Sequence, residues 1–158
     1  MLRDGTSLVL TTDATNNVYI EQMANNAFTL FKPKFTPTDT SKPVTGQLQY
    51  FYTSTSQQLF GIIGDSIYEY VSNKVLLTNK DLNDLSALTD AKPTNLIANS
   101  IEQSDLLVVD TDKDVLILLR IDTALPQLLS KVVKQSGKVA TTYLFAQHIV
   151  IIYDDGKI

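Results

Sequence analysis

Short apolar runs recur along this chain, and each ends in a polar turn that carries an aspartate. Leu8–Thr12 runs into Asp13, Leu59–Gly64 into Asp65, Leu106–Val109 into Asp110, and Ile149–Tyr153 into Asp154. Successive aspartates lie 52, 45 and 44 residues apart. Several short strands per period of roughly 40–45 residues is the spacing of propeller blades. The runs are too short for helices and rich in β-branched residues, so the pattern predicts strands joined by tight turns.

Leu8–Ile20 reads as a hairpin, because Asp13 and the two asparagines that follow tolerate the left-handed backbone of such tips. Phe28–Phe31 reads as another strand. Pro33, Pro37 and Pro43 then fall among polar residues, and 32–45 is expected to be a connection outside any sheet, since proline removes ladder donors. Strands are expected at Leu48–Tyr52, Leu59–Ile63, Ile67–Val71 and Lys74–Thr78. In the third of these, Ile67, Glu69 and Val71 share one face while Tyr68 and Tyr70 share the other. A connection over Asn79–Asp90 carries a short helix, capped by Asn79, with Leu82, Leu85 and Leu88 at helical spacing.

The layout then repeats, with strands at Asn95–Ala98, Leu106–Val109 and Val115–Arg120. The last two are apolar without alternation, as suits strands covered on both faces. Ala124–Gln135 admits two readings. Leu125, Leu128, Leu129, Val132 and Val133 make one helical stripe, but a blade would place an outer strand and a crossover there. Val139–Phe145 and His148–Tyr153 complete the pattern as two further strands. One β-rich domain over 1–158 results, with blade-like units at 47–92 and 93–138 and a partial unit at 139–158. The fold class is mainly β: an incomplete propeller or stacked antiparallel sheets. The alternative is an α+β domain with two short helices, near 79–99 and 124–135, on an antiparallel sheet.

Composition narrows the chemistry. The chain is 44% hydrophobic and 19% charged, an ordinary globular balance. Its net charge of −4 disfavours direct binding to a phosphate backbone. Apolar runs fall short of a bilayer span, and Met1–Gly5 has no apolar signal-peptide core, so a cytoplasmic or virion location is expected. With no cysteine and one histidine, disulfides, thiolate or histidine metal clusters and a cysteine nucleophile drop out.

Asp110, Asp112 and Asp114 have the spacing that opens a calcium loop, but Val115 and Ile121 stand where an EF-hand needs Gly and Glu. The cluster therefore reads as a solvated hairpin tip. His148 begins an apolar strand with no Gly-x-Ser-x-Gly elbow elsewhere, and reads as structural. Gly61 and Gly64 match neither the P-loop nor the dinucleotide fingerprint; close packing and a turn explain them better. The seven tyrosines fall at strand positions and read as core or interface residues. Lys131, Lys134 and Lys138 are the one basic grouping, and the candidate partner-binding residues. No catalytic, metal or cofactor site is expected.

The spacing, with Asp110, Asp114 and Val115 between strands and Asp154–Ile158 at the end, resembles WD40-like propeller proteins over most of Leu48–Ile158. The family's Gly-His dipeptide and strand-closing Trp-Asp are absent. Pro93–Ile117 is similar to one blade of the non-catalytic propeller subunit of tRNA guanine-N7 methyltransferases. There an Asp-Lys-x-Gly-Asp-Val motif stands at the positions of Asp110, Asp114 and Val115. The cysteine-free, Trp-free composition, rich in Asn, Thr and Gln, also resembles bacteriophage tail and nozzle proteins. These resemblances imply a non-catalytic structural or interaction component of a larger assembly, either a virion part or an accessory subunit of an RNA-modifying complex. Its partners would be other protein subunits, copies of itself included, rather than membrane or nucleic acid.

Overall fold

The computed structural model describes residues 7–15, 17–24, 27–35, 44–52, 57–101, 104–135, 137–145 and 148–158. Strands fill most of them, in four antiparallel sheets that follow one another in chain order. The first sheet holds β1 (Ser7–Thr12), β2 (Val18–Ala24) and β3 (Ala27–Phe35). The second holds β4 (Val44–Tyr52), β5 (Gln57–Ile63), β6 (Ser66–Glu69) and β7 (Lys74–Leu77). After α1 (Asn79–Ser86), the third sheet is β8 (Pro93–Ile101), β9 (Ser104–Thr111), β10 (Val115–Arg120) and β11 (Gln127–Val133). The fourth is a hairpin of β12 (Val139–Phe145) and β13 (His148–Tyr153).

Turn chemistry sets these hairpins. In the first, the Asp13 carboxylate accepts hydrogen bonds from the Thr15 and Asn17 backbone N–H groups at 2.9 and 3.1 Å. The Asn17 amide and the Tyr19 hydroxyl donate to its other oxygen at 2.7 and 2.9 Å. Led by the Asn17 bond, these donors hold the Asp13 carboxyl well below the usual carboxylate range. A lowered folded value means the turn stabilises the fold above the ordinary aspartate range near pH 4 and loses that contribution as pH falls further. The stability gap between the wild type and Asp13→Asn, measured by urea titration, is therefore expected to narrow on acidification below about pH 4. In the second sheet, Ile63 pairs with Ser66 across Gly64-Asp65, and Gly64 takes φ 60° at the first central position of the turn.

The sheets stack face to face in sequence, because neighbouring residues of a strand point to opposite faces. Val18 of β2 packs with Leu59, Ile63, Tyr68 and Tyr70 of the second sheet. From the other face of that sheet, Phe60, Ile62 and Ile67 meet Leu107, Val109, Ile117 and Leu119 of the third, with Leu82 of α1 closing the layer. Val108 and Leu116, on the far face of the third sheet, join Val139 and Tyr153 of the fourth. Three separate apolar layers result, and the unalternating runs of β9 and β10 are covered on both faces.

At Gly61 the first layer leaves no room for a side chain unless its neighbours shift. A Cβ there would stand 2.8 Å from Leu48 Cδ2 and 3.0 Å from Tyr70 Cε2. Valine favours strands, yet Gly61→Val is expected to cost about 1–3 kcal/mol in chemical denaturation, because it overpacks this layer. A stabilised variant would mean that Leu48 and Tyr70 yield freely.

The proline-rich segment is partly sheet: β3 runs through Pro33 to Phe35, and β4 begins at Val44. β3 is the edge of its sheet, and its pairing with β2 slips between Val18 and Ile20, so the missing donor interrupts no central ladder. Residues 36–43, with Pro37 and Pro43, lie outside the described residues, as do 1–6. Strand β6 ends at Glu69, so Val71 lies in a turn and is exposed.

The α1 cap is Thr78, not Asn79. Its hydroxyl accepts from Asp81 N–H at 3.1 Å, and the Asp81 carboxylate accepts from Thr78 N–H at 3.1 Å. The helix stops at Ser86, with Ala87 left-handed at φ 50°, so Leu88 lies beyond it. The segment 124–135 carries strand β11 at Gln127–Val133 rather than a helix, paired along β10 with a bulge at Leu118/Leu119. With one short helix among the described residues, the two-helix α+β alternative does not hold.

Candidate functional site

The acidic tip between β9 and β10 is solvated at 112–114, as expected, but Asp110, within β9, is not. Asp110 is 2% exposed and faces an ammonium: Lys134 Nζ lies 2.8 Å from its Oδ1, with the lysine side chain 8% exposed. The same Nζ donates to the Thr111 carbonyl at 3.0 Å. Lys134 N–H donates to the Asp114 carbonyl at 2.8 Å, which fixes the chain leaving β11 against the tip. Asp112 turns elsewhere and accepts from Lys92 N–H at 2.8 Å. Asp114 adopts φ 55°, with its carboxylate exposed. Its Oδ1 lies 3.8 Å from the same Lys134 Nζ, so Asp110 and Asp114 share one ammonium while Asp112 turns away, and no group of three metal-ligating side chains occurs among the described residues.

The three lysines do not form one patch. The helical face that would join Lys131 and Lys134 is absent, because the segment is a strand. Lys131 is exposed on β11 opposite Ile117, whereas the Lys134 amine is turned inward to Asp110. Lys138 lines a cleft of 310 Å³ between the third and fourth sheets, with Thr94, Asn95, Asp110 and Asp154. Asp154 N–H donates to the Lys138 carbonyl at 2.9 Å, and the Tyr153 hydroxyl accepts from Gln135 N–H at 3.2 Å. These bonds tie the fourth sheet to the crossover that precedes it.

A second cleft between the same two sheets, also 310 Å³, is apolar. Leu116, Leu118 and Val132 form one wall and Ile151 the other, with His148 and Ser130 at its margin. His148 is exposed at the start of β13, so it belongs to this rim and not to a core. Beyond the cleft, strand β11 exposes Leu129 by 50% and Val133 by 72%, and Leu125 before it by 76%. The sequence offered this apolar surface only in disguise, as the stripe of a helix. Of the tyrosines, Tyr68 and Tyr70 meet edge to face with centroids 5.2 Å apart in the first layer, and Tyr153 is buried in the third. The side chains of Tyr50, Tyr52 and Tyr143 lie outside the described residues.

No family model matches the chain, and no curated protein or solved structure is similar to it.

Proposed function

We propose that this chain is a non-catalytic structural and protein-interaction component of a larger assembly, its sheets set side by side in the manner of propeller blades. The observation that carries the reading is the apolar outer edge of the third sheet. Strand β11 pairs on one side only among the described residues, and it presents Leu129 and Val133 to solvent around the single cation of Lys131. Such an edge is a template for pairing with another chain. The placement of the first strands supports the blade-like arrangement: β4 lies against β8, and β8 against β12, as the innermost strands of adjacent blades do. The carboxylates at the acidic tip already hold Lys134 and the Lys92 backbone, so they are engaged in structure and not poised for catalysis.

Light scattering on the purified chain tests the reading. A mass above that of one 17.5 kDa chain is expected, falling to one chain when Leu129 and Val133 are both changed to lysine. A wild type that stays a single chain at every concentration contradicts it.

A further inference from the structure

Across the third sheet, Asn95, Asp110, Leu116 and Val132 stand side by side on successive strands. Asp110 shares the face of Val108 and Leu116, which turns to the fourth sheet. In the second sheet the matching row is Ile62, Ile67 and Leu77, and it belongs to the apolar layer shared with the third sheet. The layout repeats, but a carboxylate stands where the earlier sheet has an isoleucine. A buried ion pair such as Asp110 with Lys134 gains little or nothing in stability over well-packed apolar side chains. Packing therefore gives no reason for the charge.

What Asp110 lacks is hydrogen bonds rather than a counter-charge. Lys134 Nζ stands 2.8 Å from Oδ1, yet that buried oxygen accepts no hydrogen bond. A carboxylate has about four lone-pair sites, and leaving a buried acceptor without a donor is costly. Asp110 lines the 310 Å³ polar cleft between the third and fourth sheets, together with Thr94, Asn95, Lys138 and Asp154. Thr94, Lys138 and Asp154 are exposed and Asn95 is half-buried, so the cleft opens to solvent above a buried carboxylate.

We propose that this cleft binds a neutral, polyhydroxylated ligand, a single hexose ring, whose hydroxyls donate to the Asp110 and Asp154 carboxylates and accept from Lys138. The inference goes beyond the assembly reading and does not depend on it. Lys134 already stands against Asp110, so a second cation there would meet like charge. An anion would meet the buried carboxylate. Lys134 and Lys138 balance Asp110 and Asp154, which leaves the site neutral and short of donors. Adjacent sugar hydroxyls supply closely spaced neutral donors, and each is also an acceptor for the lysine and the Asn95 amide. The volume lies at the low end for small-molecule sites and suits one ring.

The test titrates the full ¹⁵N-labelled chain with the methyl glycosides of mannose, galactose and glucose, and with the free hexoses. Saturable amide shifts at 94–95, 110–111, 138–140 and 154 are expected with at least one sugar, with a Kd on the order of 1–10 mM. Asp154→Asn, at an exposed position, should weaken binding by roughly ten-fold, because an ionised acceptor is lost. Asp110→Leu with Lys134→Met should abolish it, and unchanged β5 and β6 resonances verify that each variant is folded. Equal affinity for a hexose and its methyl glycoside supports a ring at the end of a glycan, and loss on methylation supports a free sugar. The proposal is overturned by the absence of saturable shifts up to about 100 mM of every sugar, roughly ten times the expected Kd, since water alone then serves Asp110. It is also overturned by undiminished binding to the double variant, or by tighter binding of the zwitterion glycine than of any sugar.

Discussion

Replacing Lys134 with methionine is expected to lower the stability of the fold by about 3–5 kcal/mol, the range for breaking a buried ion pair from one side. The substitution keeps most of the side chain's volume but leaves the Asp110 carboxylate, 2% exposed, without its counter-charge. It also deprives the Thr111 carbonyl of its 3.0 Å donor. Ammonium and carboxylate meet as an ion contact and not as a well-aligned hydrogen bond, so the loss is chiefly electrostatic. Removing both charges together, in Asp110→Leu with Lys134→Met, should recover most of the loss, because the pair itself offsets little more than its own desolvation. Urea denaturation of the two single variants and the double variant decides the matter. A loss below about 1 kcal/mol for Lys134→Met would mean that water reaches Asp110 through the adjoining cleft and takes over from the lysine.

Glu69→Ala is expected to cost about 3 kcal/mol. Glu69 is 6% exposed at the end of β6, and its carboxylate organises the bend that follows. One oxygen accepts from Leu59 N–H at 3.3 Å and Val71 N–H at 3.0 Å, and the other from Ser72 N–H at 2.6 Å. Alanine strands three donors, and a buried donor without a partner costs about 1–3 kcal/mol. Water can reach Val71 and Ser72, which are exposed, so the three costs do not add in full. Glu69→Gln separates charge from shape. Its amide group must face a donor with a donor, so an intermediate loss of about 1–2 kcal/mol is expected from calorimetry or urea titration. Equal stability of the alanine variant and the wild type would show that the bend holds itself through the Tyr70–Leu59 backbone bond alone, 2.8 Å long.

The strands that could be read from the sequence are those where apolar runs meet strong turn chemistry. Leu59–Ile63, Lys74–Leu77 and Val115–Arg120 are bounded by Gly64-Asp65, by Ser72-Asn73 and by the acidic tip, and local signals sufficed for each. Elsewhere a local signal was overridden. Pro33 argues against sheet only where the ladder needs its donor, and an edge strand does not. Leu125–Val133 satisfies a helical stripe, but pairing with β10 decides for a strand, and its β-branched valines fit a sheet. The cap went to Asn79 by residue type, whereas the capping box needs Thr78 and Asp81 three positions apart.

The site was less legible than the fold. Asp110 and Lys134 are 24 residues apart in sequence, and only the third sheet's own closure brings them together, so the lysine looked like a free surface cation. Likewise the apolar cleft beside β13 follows from how the third and fourth sheets stack, which no window of residues contains.

The sheets stack in chain order, so that adjacent residues of one strand belong to different apolar layers. Methyl–methyl nuclear Overhauser contacts of β9 and β10 test it most directly. Val109 and Ile117 are expected to report only on the layer of Ile62, Ile67 and Leu82. Val108 and Leu116 should report only on that of Val139 and Ile151. If Leu116 and Ile117 share one set of neighbours, or Val139 contacts Ile67, the sheets do not stack in chain order and the account fails.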